Sequence, residues 1–261
     1  MKRYPGKGFT ERRNARRVGQ KKGDDQPGRV KMREDRWVKL ATISVEGRAV
    51  GAVILGNGRM LDIALAAREV PGVAGEALRA GSLQALIEGG AGAVEALRGL
   101  VVQAEGGGHG DAQHPADTSL LAPIPMPRKN VFCVGRNYAE HIAEGERAQK
   151  IKIGVTEHPV FFTKPSTSVV PPDGDVLIFP AISAAIDYEV ELAVVIGKAG
   201  RDIAKADAYD HVFGYTILND ITARDVQRRH GGQYFKGKGL DGSCPIGPWI
   251  VTADAIEDPH K

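Results

Sequence analysis

Asp187, Glu189 and Glu191 alternate along Ile186-Asp187-Tyr188-Glu189-Val190-Glu191-Leu192-Ala193-Val194-Val195-Ile196. Alternate residues of a strand share a face, so Glu189 and Glu191 project together, roughly 7 Å apart along the chain. Asp187 shares that face. The strand then runs into the apolar LAVVI, which places the acids at the entrance to a core. Like charges at this spacing repel, and burial sharpens the repulsion. A hard divalent cation held by oxygen ligands is the natural compensation. Taken alone, the stretch also reads as an exposed strand face with solvated acids. A further acid, Asp220, closes the apolar run Gly214-Tyr215-Thr216-Ile217-Leu218-Asn219. Thr222-Ala223-Arg224-Asp225 follows as a capping box, with Thr222 as N-cap and Asp225 at N3. Asp220 therefore sits at a strand-to-helix corner, either as a functional side chain or as a simple turn aspartate.

These acids need strands to hold them. Val131–Gly135, Val160–Thr163, Val176–Phe179, Tyr188–Ile196 and Val212–Asn219 read as strands, with a single helix, Thr222–Arg229, stopped by Gly231-Gly232. This is a β-dominated body and not an alternating βαβ pattern. Ahead of it, Pro123, Pro125 and Pro127 disfavour helix and mark an extended linker. Further upstream, Trp37–Val45 and Ala49–Leu55 form a hairpin about Glu46-Gly47, and a short strand, Met60–Ile63, follows Gly56-Asn57-Gly58. Helical patterns cover Ile63–Arg68, Leu83–Ile87 and Ala93–Gln103, and residues 105–118 read as a loop with His109 and His114 solvated. The expected organisation is a basic disordered tail over residues 1–31, a small α+β accessory domain over 32–122, and a catalytic domain over 123–261. The fold class is mainly β with some α.

Composition bounds the function. The 261 residues are 42% hydrophobic and 26% charged, as in a soluble globular protein. No apolar run approaches the ~18 residues of a membrane span. Residues 1–31 carry 11 Lys and Arg against three acids, so the formal charge of +3 belongs to the tail and the remainder is mildly acidic. The tail reads as an upstream extension, with Met32 as the natural start, in preference to a nucleic-acid-binding arm, because it lacks interleaved aromatics. Cys133 and Cys244 sit in no CxxC or Cys/His cluster. They read as buried apolar residues, compatible with a reducing cytoplasm.

DYEVELAVVIGK, GYTILNDITARDVQ and GKGLDGSCPIGPWIV, with VGRNYAEHIAE and PVFFTKPST upstream, resemble the fumarylacetoacetate hydrolase family. The five blocks keep the family's order and run from about Asn130 to His260. The resemblance implies a mixed β-sandwich roll with Mg²⁺ or Mn²⁺ held by Glu189, Glu191 and Asp220. It implies a catalytic base in His141 paired with Glu144, and Lys238 beside the metal, although Gly239 stands where the family has serine. It places Arg136 and Gln227 against substrate, leaves Lys164 either against substrate or simply paired with an acid, and gives Arg224 a structural role at least as readily as a catalytic one. His141 and Glu144 at i, i+3 share a helix face, and a carboxylate beside imidazole supports it as a proton acceptor. The charged stretch Ala139–Gly154 is expected to be a lid.

The implied reaction is metal-dependent hydrolysis of a C–C bond in a 2,4-dioxo acid of the acylpyruvate or fumarylpyruvate type, by water that His141 activates. Isomerisation or decarboxylation of dienoates and 2-oxo acids uses the same chelate and stays open. So does an inactive metal-binding homologue, because the family's closing C-terminal block is not seen before Lys261. A homodimer and a small oxo-acid partner are expected, without membrane or nucleic acid.

Overall fold

A computed structural model describes residues 38–135, 158–230 and 233–260. The tail 1–31, the expected lid, Arg136, His141 and Glu144 lie outside the described residues.

The chain opens with an antiparallel hairpin, β1 (Lys39–Val45) and β2 (Arg48–Ile54). Glu46 and Gly47 both take positive φ at its turn, as a two-residue turn matched to strand twist requires. β3 (Met60–Asp62) continues the sheet. Four helices follow: α1 (Ile63–Ala66), α2 (Gly72–Arg79), α3 (Leu83–Glu88) and α4 (Gly90–Glu105). Their apolar faces bury Ile63, Leu78, Leu83, Leu86, Leu97 and Leu100 against Leu40, Val53 and Leu61 of the strands. The other face of these strands carries a smaller cluster, Ile43, Ala52 and Met60, with Leu120 against it. The expected loop 105–118 contains β4 (Gln113–His114). His114 there is not solvated: its Nε2 is buried without a hydrogen bond, 3.8 Å from Asp62. β5 (Leu120–Leu121) branches from β1.

The remaining strands are β6 (Val131–Gly135), β7 (Val160–Lys164), β8 (Val169–Val170), β9 (Ile186–Asp187), β10 (Val190–Ile196), β11 (Val212–Asn219) and β12 (Thr222–Ala223). Two short helices, α5 (Arg224–Arg229) and α6 (Phe235–Lys238), precede the last strand, β13 (Cys244–Thr252). Val176–Phe179, expected as a strand, is extended but joins no sheet. The capping box does not form either. Thr222 pairs with Asp187 in the β9–β12 ladder, the helix starts at Arg224, and Asp225 accepts a hydrogen bond from the Ser183 hydroxyl.

The main sheet runs β10-β11-β13-β1-β2-β3-β4. It crosses the division expected at residues 122–123, because β13 pairs antiparallel with β1, Leu40 opposite Ile250. The Thr252 hydroxyl accepts from the buried Val38 N–H at 3.1 Å across the same seam. Ile250 belongs to the same buried cluster as the four helices. At the other end, β10 is the terminal strand among the described residues. Its alternation is inverted relative to a soluble strand. Glu191, Ala193 and Val195 are half-buried, while Val190, Leu192, Val194 and Ile196 on the opposite face are exposed.

Candidate metal centre

Three turns deliver the site. β7 ends in Lys164, β11 ends just before Asp220, and α6 ends in Lys238. Glu189 immediately precedes β10, and its carbonyl accepts from the Asp220 N–H at 2.7 Å. That bond fixes the two acidic residues side by side. Gly237 lets α6 close onto α5: a Cβ there would stand 2.7 Å from the Gln227 nitrogen and 2.9 Å from the Ala223 carbonyl. No side chain fits, so the preceding glycine is what brings Lys238 to the acids.

Lys238 is 3% exposed. Its Nζ donates to Glu189 Oε2 at 3.0 Å, Asp220 Oδ2 at 2.5 Å and Thr222 Oγ1 at 2.8 Å. All three ammonium protons are thereby used. The ammonium also lies 5.0 Å over the Phe162 ring, which meets Tyr234 edge-on. Glu189 Oε1 pairs with Arg224 Nη1 at 2.6 Å, and Arg224 spans to Asp187 at 2.9 Å. Both oxygens of Glu189 thus meet a cation. Gln227 accepts from Arg224 at 3.3 Å through its amide oxygen.

Lys164 is fully buried. Its Nζ donates to the carbonyls of Ile221, at 3.2 Å, and Lys238. It lies 2.9 Å from Asp220 Oδ1 as an ion pair, at an angle outside hydrogen-bond geometry. Asp220 Oδ1 consequently accepts no hydrogen bond although it is buried. Of the two roles expected for Lys164, substrate contact or pairing with an acid, its surroundings show the pairing: a carboxylate and two backbone oxygens.

Two of the three expected ligands, Glu189 and Asp220, therefore converge on one positive centre. Glu191 shares the half-buried face of β10. As they lie, no three His, Cys, Asp or Glu side chains among the described residues are grouped closely enough to hold an ion. The donor chemistry nevertheless fits a hard divalent cation: carboxylate oxygens only, one of them buried with an unused lone pair. Thr222 and Phe162 were not read as site residues from the sequence, and Asp187 was read only as sharing the acidic face. Phe162 had a signal, since it alternates with Lys164 and so shares its face of β7. Thr222 was hidden by its apparent capping role.

Burial pushes the thiol of Cys133 up to about 12, with the Asp220 charge adding to the effect. Burial likewise raises Cys244 to about 11. Both remain protonated thiols, poor as nucleophiles or metal ligands. Among the described residues no helix is long and apolar enough to cross a membrane.

The model of the fumarylacetoacetate (FAA) hydrolase C-terminal family matches residues 130–261. Oxaloacetate tautomerase YisK of Bacillus subtilis is 49% identical over 147 residues, covering 56% of this chain and 47% of the relative. The chain thus spans about half the length of that curated relative. Among solved structures, the fumarylacetoacetate hydrolase of Exiguobacterium antarcticum is 33% identical with a TM-score of 0.58, over 85% of this chain and 69% of the other. A maleylpyruvate hydrolase from Sphingobium sp. SYK-6, solved in complex with manganese(II) ion and pyruvate, is 30% identical with a TM-score of 0.57, over the same shares. A buried acid–lysine cluster at the corner after β11, a family match across the half of the chain that builds it, and fold neighbours at 30% and 33% identity lead to one assignment: the chain belongs to the fumarylacetoacetate hydrolase family.

Proposed function

We propose that this chain serves proton transfer between the keto and enol forms of a small 2-oxo acid, with a divalent cation held by Glu189, Asp220 and Glu191. The carrying observation is the convergence of Glu189 and Asp220 on one buried positive centre. The 49% identity to an oxaloacetate tautomerase directs the choice of reaction. When bound, a Mg²⁺ or Mn²⁺ ion would supply Lewis-acid stabilisation of negative charge on the 2-oxo oxygen.

The chain's own residues supply the rest. Arg224 and Lys238 pair with Glu189 through both of its oxygens, which holds its carboxylate in place. The Gln227 amide nitrogen offers two N–H donors suited to a substrate carboxylate. By the family resemblance, His141 with Glu144 as its partner would be the group to take a proton from the carbon beside the 2-oxo group and return it to oxygen. Arg136 lies in the same sequence block and supplies positive charge for a second carboxylate.

C–C hydrolysis of an acylpyruvate is the second reading, favoured by the likeness to a maleylpyruvate hydrolase and by the same His–Glu pair. One set of assays separates the two. The full chain with Mg²⁺ is given enol-oxaloacetate, and enol absorbance and pyruvate are followed together. Loss of enol without pyruvate is the expected result, and pyruvate release marks decarboxylation. Acylpyruvate cleaved to pyruvate and a free acid supports hydrolysis. Glu189→Ala should abolish whichever activity is found. Folded protein that turns over none of these in Mg²⁺ or Mn²⁺ sinks the proposal.

A further inference from the structure

We infer that Lys164 is a positioning residue that locks the two halves of the candidate metal centre together, and that it does not touch substrate. The inference rests on the proposed metal-holding role of Glu189 and Asp220. Two separate pieces of chain meet at its nitrogen: Asp220-Ile221, through the Asp220 Oδ1 and the Ile221 carbonyl, and Lys238, through its carbonyl. Lys164 thus grips the backbone of Lys238, whose own ammonium grips Asp220 from the other side. Each lysine holds the element that carries the other's acceptor. The base of this strut is rigid, since Lys164 pairs with Val131 in the β6–β7 ladder.

Zero exposure decides between the two roles open to a buried lysine. An ammonium with no solvent exposure, bonded to two backbone carbonyls and ion-paired with a buried carboxylate, presents no face to a ligand. Electrostatics and positioning make opposite predictions for its removal. A positive charge next to Asp220 repels a cation, so deleting charge alone would tighten cation binding. Deleting a strut lets Asp220 and the Lys238 turn drift, which loosens it. Residues that orient metal ligands typically cost 10–100-fold in affinity when replaced.

The test is Mn²⁺ binding to the full chain and to Lys164→Gln and Lys164→Met, followed by electron paramagnetic resonance of free Mn²⁺. The expected result is roughly 10–100-fold weaker binding in both variants, with KM for the 2-oxo acid close to wild type once Mn²⁺ is saturating. Leu97→Ala, in the helical layer away from the site, controls for general destabilisation and should bind Mn²⁺ normally. Equal or tighter Mn²⁺ binding by the lysine variants overturns the inference, as does a raised KM at unchanged Mn²⁺ affinity. A wild-type chain that binds no Mn²⁺ overturns the metal-centre reading itself, which is a separate outcome. A wild-type crystal structure with Mn²⁺ and oxalate needs no variant to fold. Lys164 Nζ should remain on the Ile221 and Lys238 carbonyls, and finding it on oxalate overturns the assignment.

Discussion

Lys238→Met removes the ammonium that Glu189 and Asp220 share while keeping an unbranched chain of similar length. The loss is large because all partners are buried: the side chains of Lys238, Asp220 and Glu189 are 3%, 3% and 11% exposed. Breaking a buried ion pair by removing one partner costs about 3–5 kcal/mol, since the other charge stays behind. Here the lower end applies, because Arg224 still neutralises Glu189 and Lys164 still faces Asp220. A cost of about 3 kcal/mol is a large share of the roughly 5–15 kcal/mol that holds a domain together. The vacated centre is then a better cation site than before, as no ammonium competes for the two carboxylates. Mg²⁺ at about a hundred times its dissociation constant should return about 2.7 kcal/mol. Urea unfolding followed through Trp249, with and without Mg²⁺ at matched ionic strength, measures both quantities. A loss below about 1 kcal/mol would show that the ammonium is not the counterion that holds the acids together. Equal Mg²⁺ stabilisation of variant and wild type would refute the claim that Lys238 and a divalent ion compete for the same oxygens.

Asp225 should make stability pH-dependent. The Ser183 hydrogen bond holds its carboxyl below the ordinary carboxylate range, so its contribution is present above that range and fades as pH falls through the lowered value. The melting temperature of Asp225→Asn should therefore lie below wild type at neutral pH and converge with it in acid. Cys133 and Cys244, pushed to about 12 and about 11, should resist alkylation at pH 8 in the folded chain, and both should react promptly in urea. Thr252→Val leaves the buried Val38 N–H without its hydroxyl acceptor. It should cost about 1–3 kcal/mol, measurable by the same urea titration.

The acidic alternation was readable because it depends on a backbone period alone. Glu189, Glu191 and Asp220 lie on the expected strand entrance and strand exit, and β11 runs over the expected residues, Val212–Asn219. What failed depended on partners far away in the chain. Val176–Phe179 has strand composition, yet its one cross-chain bond in view is Leu177 N–H to the Gly242 carbonyl at 3.4 Å, so no ladder forms. Thr222-x-x-Asp225 satisfies a capping pattern, but Thr222 is claimed by a two-residue ladder and by the Lys238 ammonium. The helix Gly72–Arg79 was not among the expected helical patterns, and Pro71, Gly72 and Gly75 give the segment low intrinsic helix propensity. In the fold Gly75 is a contact glycine, since a Cβ there would stand 1.9 Å from the Val70 carbonyl. Helix–loop packing overrides the low propensity. The depth at which Lys164 is buried had no signature in sequence at all, because its partners, the Asp220 carboxylate and the Ile221 and Lys238 carbonyls, lie 56 to 74 residues further along the chain.

The seam between Leu40 and Ile250 also dictates the order of events as the chain is made. During synthesis the first hairpin leaves the ribosome about two hundred residues ahead of the strand that must lie along its open side. Until then its Lys39–Leu40 flank can hydrogen-bond only to water or to an unintended neighbour. Native pairing across such a separation closes a long loop and is inherently slow. Completion of the sheet therefore waits on Cys244–Thr252. Fragments ending before that segment should partition into aggregates or chaperone complexes, even when they contain every residue of the helical layer.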